Sequence, residues 1–280
     1  MDNLERFLKN AIREDVGDGD HTSEACIPEE TLGSAHLIIK DYGILAGVKV
    51  ARKVFKIIDP EIKMIVNVHD GEIVRPGNIV FKVSGRVRSI LLAERLALNI
   101  MQHMSGIATQ TKKFVDQVNG LKVKILDTRK TSPGMRFLDK EAVRIGGGEN
   151  HRMGLYDMIM IKDNHIDYLG SLEKAIDAVH TYFEKIGRTM KIVIEARDLD
   201  SVERILAHGG VDRIMLDNFT LEDTRIAVEK IHDRFEIESS GGITLENVRD
   251  YALCGVDYIS VGALTHQIKS LDMSLRAVIH

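Results

Sequence analysis

Four short apolar runs begin at residues 192, 213, 235 and 258, so their starts are 21, 22 and 23 residues apart. They are Ile192–Glu195, Arg213–Asp217, Phe235–Ser239 and Tyr258–Gly262, and each precedes a stretch of helical periodicity. Two earlier runs, Val123–Asp127 and Met158–Lys162, extend the series. Near-continuous apolar strands belong in a parallel sheet covered on both faces. Strands alternating with helices of this length form βαβ units. Six such units, without a nucleotide-type glycine fingerprint, favour an α/β barrel over an open doubly wound sheet. Six is below a full barrel's strand count, so an incomplete barrel is expected.

The chain before this series is built differently. Leu4, Phe7, Leu8, Ala11 and Ile12 fall at helical spacing. Strand-like pieces at 35–40, 63–68 and 78–83 are separated by turn signals, with a helix at about 48–58. A long helical pattern runs from Arg88 toward Val118, with Gly106 as a candidate bend. This predicts an N-terminal α/β sandwich over 1–119 and an α/β-barrel catalytic domain over 120–269, with 270–280 returning to the first domain as an edge strand over Leu271–Ile279.

A formal net charge of -4 argues against a nucleic-acid partner. No apolar run approaches a membrane span, and the N-terminus lacks an apolar signal core. The expected setting is cytoplasmic. Cys26 and Cys254 make no metal or redox spacing.

Residues at the C-terminal strand ends line the site of such a barrel, and here those ends are polar. They read Asp127-Thr128-Arg129-Lys130, Lys162-Asp163-Asn164-His165, Glu195, Asp217-Asn218, Ser239-Ser240-Gly241-Gly242 and Val261-Gly262-Ala263. Glycines after the last two strands suit a phosphate, with a helix expected to start near Thr244. Arg129, Lys130, Lys162 and Arg152 imply a ligand with several negative charges. Glu195 and Asp217 could hold a divalent metal, bind sugar hydroxyls or stabilise a cationic transition state, or could pair with Lys130 or Lys162. In the long helix Arg95, Asn99 and His103 form a polar stripe between apolar flanks, suggesting a partner or ligand. The acidic stretch Glu14–His21 lacks calcium-loop spacing and reads as a turn with helix-capping residues. These residues alone describe an α/β-barrel enzyme for a phosphorylated, polyanionic small molecule with a divalent metal. They leave the reaction open.

EDVGDGDHTS at 14–23, GILAG at 43–47, ERLALNIMQHMSGIAT at 94–109 and DTRKTSPGMR at 127–136 carry a resemblance. It continues through AVRIGGGENHRMGLYDMIMIKDNHI at 142–166, IEARDLD at 194–200, IMLDN at 214–218, ESSGG at 238–242 and YISVGALTH at 258–266. Over essentially its whole length the chain resembles the quinolinate phosphoribosyltransferases, the decarboxylating nicotinate-nucleotide pyrophosphorylases of NAD biosynthesis. The resemblance implies Mg²⁺-dependent transfer of phosphoribosyl from phosphoribosyl pyrophosphate (PRPP) to quinolinate, giving nicotinate mononucleotide, pyrophosphate and CO₂. It implies a homodimer with shared active sites, further assembly being left open, in which Arg95 serves the neighbour. Arg95, Arg129, His151, Arg152 and Lys162 would bind the two quinolinate carboxylates. Glu195 and Asp217 would stabilise the oxocarbenium-like ribose and hold the metal through PRPP or water. Lys130 would face pyrophosphate, and Ser240, Gly241, Gly242, Gly262 and His266 would receive phosphate oxygens.

Three positions depart from the family's usual residues: Leu96, Val193 and Gln267. They bear on fine contacts, above all at the phosphate rim near His266. NHR at 150–152 and KDNH at 162–165 argue against a related family linked to molybdenum transport. A catalytically idle ligand-binding protein is disfavoured because the charged set is whole.

Overall fold

The computed structural model describes residues 3–278, so Ile279 and the extreme ends of the expected domains lie outside the described residues. The chain divides into two compact units. One comprises 1–112, 132–147 and 268–280, and the other 113–131 and 148–267.

The first unit opens with α1 (Asn3–Val16) and α2 (His21–Cys26). Asp20 caps α2 by accepting from the Ser23 N–H at 3.0 Å, so the expected capping holds there, but Glu14–Val16 of the acidic stretch belong to α1 and only 17–20 form the turn. Then come β1 (Leu32–Ile39), β2 (Gly43–Ile44), α3 (Val48–Ile58), β3 (Lys63–Val66), β4 (Ile73–Val74), β5 (Ile79–Arg86) and the long α4 (Val87–Gln117). β2 and β4 form a separate antiparallel pair. Alternating residues of β1 and β5 are buried, among them Leu37, Ile39, Phe81 and Val83. Phe81 meets Phe55 of α3 edge to face at 6.1 Å, an arrangement worth about 0.5–1.5 kcal/mol beyond area burial.

α4 is continuous through Gly106. A Cβ there would lie 2.5 Å from the Lys269 carbonyl oxygen. The glycine therefore admits the returning C-terminal segment against the helix. His103 of α4 and Asp139 of a later helix pair at 2.7 Å, inside this unit.

The second unit contains a six-stranded parallel sheet. In chain order its elements are β6 (Lys124–Leu126), β7 (Ile159–Ile161), α6 (Asp163–Leu169), α7 (Leu172–Ile186), β8 (Ile192–Ala196), α8 (Leu199–His208), β9 (Arg213–Asp217), α9 (Leu221–Ile231), β10 (Glu236–Ser240), α10 (Val248–Leu253), β11 (Tyr258–Ser260) and α11 (Ala263–His266). Between β6 and β7 the chain forms α5 (Arg136–Ile145), which clusters with the first unit. After α11 comes β12 (Met273–Ala277), which pairs antiparallel with β1 and completes the order β12-β1-β5-β3.

The parallel sheet has the order β6-β11-β10-β9-β8-β7. β6 and β7 are its two edges and do not pair, so the fold is an incomplete α/β barrel. Ile192, Ile194 and Ala196 alternate with Val193 and Glu195 along β8, and all five are buried. Such burial on both faces is what the uninterrupted apolar run requires. No described helix is long and apolar enough to cross a membrane.

Candidate active site

The C-terminal strand ends enclose a cavity of about 780 Å³, and all of its lining residues belong to the second unit. Register explains which side chains enter it. Ser240 of β10 lies opposite Asp217 of β9, and Glu238 opposite Met215, so these four share one face. All four line the cavity, with Met160, Glu195 and Ser260 of the neighbouring strands.

Arg129, Lys130, His151, Arg152, Lys162, Glu195, Asp217, Ser240, Gly241, Gly242, Gly262 and His266 all line this one cavity. Gln267, a departure from the usual pattern, lies at the same rim. Val193 is buried within β8. Arg95 and Asn99 are exposed on α4, Leu96 is half-buried there, and none of the three belongs to the lining. The helical stripe therefore divides: His103 is satisfied by Asp139, whereas Arg95 and Asn99 face outward.

The Lys162 ammonium donates to Glu195 Oε1, and the Asp163 N–H reaches Glu195 Oε2 at 3.4 Å. Of the alternatives open for the carboxylates, pairing with Lys162 is thus realised at Glu195. Burial, with Glu195 and Asp163 nearby, pushes the Asp217 carboxyl above its usual range, against the opposing influence of Lys162. The Asn218 amide donates to Asp217 Oδ2 at 2.9 Å. Asn218 has a left-handed backbone, φ 57°, which places its side chain beside Gly241. Burial, with Arg129 nearby, lowers the Arg152 pKa from its usual value. Asp157 and Glu195 act on Arg152 in the opposite sense.

The loops after β10 and β11 carry the glycines. Gly241 and Gly242 have φ of 87° and 61°. The helix expected near Thr244 begins instead at Val248. Asn247 Oδ1 accepts from the Thr244 N–H at 2.8 Å, and its Nδ2 donates to the Gly242 carbonyl at 3.0 Å. This turn replaces the first helical residues, so any anion there meets loop amides rather than a helix end. On the next loop, Thr265 Oγ1 donates to the Lys130 carbonyl at 2.7 Å, joining the β6 tip to α11.

Sequence reasoning missed Glu238 and Arg213 as parts of this site. Glu238 is wholly buried and reaches the lining. Arg213 Nη1 donates to its Oε2 at 2.8 Å. Both residues lie inside apolar runs, and a charged side chain at an inward strand position was the available signal.

Comparison with known proteins points to one family. The family profile for the N-terminal domain of quinolinate phosphoribosyl transferase matches residues 20–105. That for its C-terminal domain matches residues 107–276. The chain is 44% identical over 288 residues to a Nicotiana tabacum protein named quinolinate phosphoribosyltransferase [decarboxylating] 1b, covering 98% of this chain and 82% of that one. It is 39% identical over 272 residues to a Bacillus subtilis protein named probable nicotinate-nucleotide pyrophosphorylase [carboxylating], covering 97% and 92%. The crystal structure of NadC from Streptococcus pyogenes superposes with a TM-score of 0.93 at 39% identity, covering 99% of this chain and 97% of that one. Two matched domains, full-length identity and a shared fold place the chain in the quinolinate phosphoribosyltransferase family of enzymes.

Proposed function

We propose that this chain transfers phosphoribosyl from PRPP to quinolinate with decarboxylation, in NAD biosynthesis. The observation that carries the reading is that one cavity gathers cations, carboxylates and glycine loops. Arg129, His151 and Arg152 line it together with Glu195, Asp217, Gly241, Gly242 and Gly262. The arginines suit adjacent carboxylates, Arg being a fork-shaped donor for them. Glu195 and Asp217 suit a sugar that becomes cationic.

In the first step the quinolinate nitrogen bonds to the anomeric carbon as the bond to pyrophosphate breaks, and the electron pair leaves with pyrophosphate. The Glu195 and Asp217 carboxylates lie where positive charge develops on the ribose. Their fixed placement costs no reorganisation during reaction. Lys130 faces the departing pyrophosphate, and the amides near Gly241, Gly242 and Gly262, with Ser240 and His266, receive phosphate oxygens. In the second step the ring carbon beside the new pyridinium nitrogen loses CO₂, keeps the electron pair and takes up a proton. No covalent enzyme intermediate is needed.

Mg²⁺ fits this donor set as a companion of the phosphates. The described residues contain no group of three or more His, Cys, Asp or Glu side chains disposed for a metal ion. Magnesium is commonly held by one or two carboxylates together with substrate phosphates, and Glu195 and Asp217 are the two available here. When bound it would neutralise charge on the pyrophosphate.

The working form in this reading is a homodimer with shared sites. Arg95 is exposed on α4. The second unit also exposes an apolar face including Leu155 and Tyr168, at 69% and 94% exposure, in a groove lined by β7 residues. A second copy that covers such faces can deliver Arg95 to its neighbour.

Steady-state kinetics test the assignment. Glu195→Ala is expected to lower kcat by about 10²–10³-fold with a smaller effect on quinolinate KM. Nicotinate, with one carboxylate, is expected to be a very poor substrate because it leaves cations unpaired. Unchanged kcat in the variant, or equal kcat/KM for nicotinate and quinolinate, overturns the assignment.

A further inference from the structure

We infer that Glu238, anchored by Arg213, is a positioning residue that fixes the His151 ring and, through it, the backbone carrying Arg152. This rests on the reading of the cavity just given.

Glu238 lies in the middle of β10 and is wholly buried. A buried carboxylate is tolerated only when paired and hydrogen-bonded. Its Oε2 accepts from Arg213 Nη1 at 2.8 Å and lies 3.2 Å from His151 Nε2. Arg213 also donates to Glu236 Oε2 at 3.0 and 2.9 Å, and its guanidinium sits 3.7 Å from the centre of the Tyr258 ring. The anchor is thus held from β10 and β11 together.

His151 is held at Nδ1 by a hydrogen bond, and its Nε2 approaches Glu238 Oε2 to 3.2 Å. The Arg152 N–H donates to Nδ1 at 2.7 Å, so Nδ1 presents a lone pair. The neutral ring then carries its proton on Nε2, whose approach to Glu238 is a close polar contact rather than an aligned hydrogen bond. The His151 N–H donates to Asp127 Oδ1 at 2.8 Å, fixing the backbone as well. Arg152 follows directly. Its Nη1 donates to the Met158 carbonyl at 3.2 Å, while its Nε is buried without a hydrogen-bond partner among the described residues. A buried donor left unsatisfied is costly, and an incoming carboxylate would satisfy it. The substrate charge is therefore met by Arg152, and His151 transmits the position set by Glu238.

Reach and charge separate cleanly in two variants. Glu238→Asp keeps the charge for Arg213 but draws the carboxylate back from His151. Glu238→Gln keeps the reach: its amide nitrogen can take the place of Oε1, which has no hydrogen-bond partner among the described residues, leaving an oxygen for Arg213 and His151. Glu238→Asp is expected to raise quinolinate KM about tenfold, equivalent to about 1.4 kcal/mol, as the close contact with His151 is lost, while PRPP KM stays at the wild-type value. Glu238→Gln should recover most of that loss. In a His151→Ala background Glu238→Asp should add nothing. Histidine ¹⁵N NMR, which needs no turnover, should find the Nε2–H tautomer of His151 in the wild type and a tautomer mixture in Glu238→Asp. An unchanged quinolinate KM in Glu238→Asp, a parallel rise for both substrates, a full effect in the His151→Ala background, or a wild-type Nδ1–H tautomer each overturns the inference. A wild-type protein inactive with quinolinate and PRPP overturns the proposed reaction instead, and the NMR result then still decides the role of Glu238.

Discussion

Lys162 and Glu195 form an ion pair across neighbouring strands, the ammonium just past β7 donating to the carboxylate near the end of β8. Glu195 is buried, whereas the Lys162 side chain is 46% exposed. The pair holds one carboxylate in place while Asp217, one strand further on, carries a raised pKa. The two acidic residues thus sit in different electrostatic states. Glu195 is paired with a half-exposed cation, and Asp217 is a charge that its burial disfavours.

That cost has a sign. A carboxyl whose folded pKa lies above its unfolded value binds its proton more tightly when folded. Its contribution to stability is present at low pH and is lost as pH rises from the unfolded value through the raised folded one. At neutral pH the Asp217 charge therefore opposes folding. Asp217→Asn is expected to raise Tm at pH 7 while lowering kcat by about 10²–10³-fold. The gain in Tm should shrink as pH is lowered through the carboxylate range. Calorimetry at several pH values checks this, and a Tm that falls on substitution contradicts it.

Adjacent glycines should respond differently. A Cβ on Gly241 would collide with the Asn218 side chain and lie 2.9 Å from its backbone nitrogen, whereas one on Gly242 meets nothing within 4 Å. Gly242→Ala then carries only the left-handed backbone penalty of about 1–2 kcal/mol. Gly241→Ala must also move Asn218, which holds Asp217. PRPP KM and kcat should both worsen in Gly241→Ala, by at least about tenfold in kcat/KM, one hydrogen bond's worth or more. Equal effects of the two variants would show that Asn218 is not fixed by this contact.

Buried and exposed ion pairs should also part. Arg213 is 6% exposed and links Glu236 and Glu238. Arg204 makes a two-pronged pair with Glu173, both contacts at 2.8 Å, on the surface. Arg213→Met should destabilise by about 3–5 kcal/mol because it strands buried carboxylate charge. Arg204→Ala should cost less than about 1 kcal/mol. Urea unfolding of both variants decides the comparison.

How much of this was legible beforehand follows from the physics of each element. The strand spacing survived translation: β8, β9 and β11 begin at Ile192, Arg213 and Tyr258, where the apolar runs begin. β10 runs over Glu236–Ser240, one residue later than expected, because its register is set by pairing Ser240 with Asp217. The polar tips fell into one cavity because a parallel barrel gathers the same end of every strand. Local signals could not reveal the Arg213–Glu238–His151 contacts, which need cross-strand register and a loop folding back. Nor could they foresee that His103 would pair with Asp139, 36 residues away. The late start of α10 depended on one side chain, Asn247, competing with the helix for backbone groups.

Sharing of the site between copies can be tested by complementation. Arg95→Ala and Lys162→Ala are each expected to be nearly inactive. If Arg95 serves the neighbouring site, a mixed dimer has one site with both lesions and one with neither. Co-refolding equal amounts makes about half the dimers mixed and should restore about a quarter of wild-type activity. No recovery despite confirmed chain exchange means that Arg95 does not serve the neighbour.

The most direct measurement is release of labelled CO₂ from quinolinate carrying the label in the carboxyl next to the ring nitrogen. With PRPP and Mg²⁺ present, CO₂ and nicotinate mononucleotide should appear in equal amounts, and omission of PRPP should abolish both. Chelation of Mg²⁺ should suppress them together. CO₂ release without PRPP, or nucleotide formed with its label retained, would contradict a reaction in which the pyridinium made by phosphoribosyl transfer drives decarboxylation.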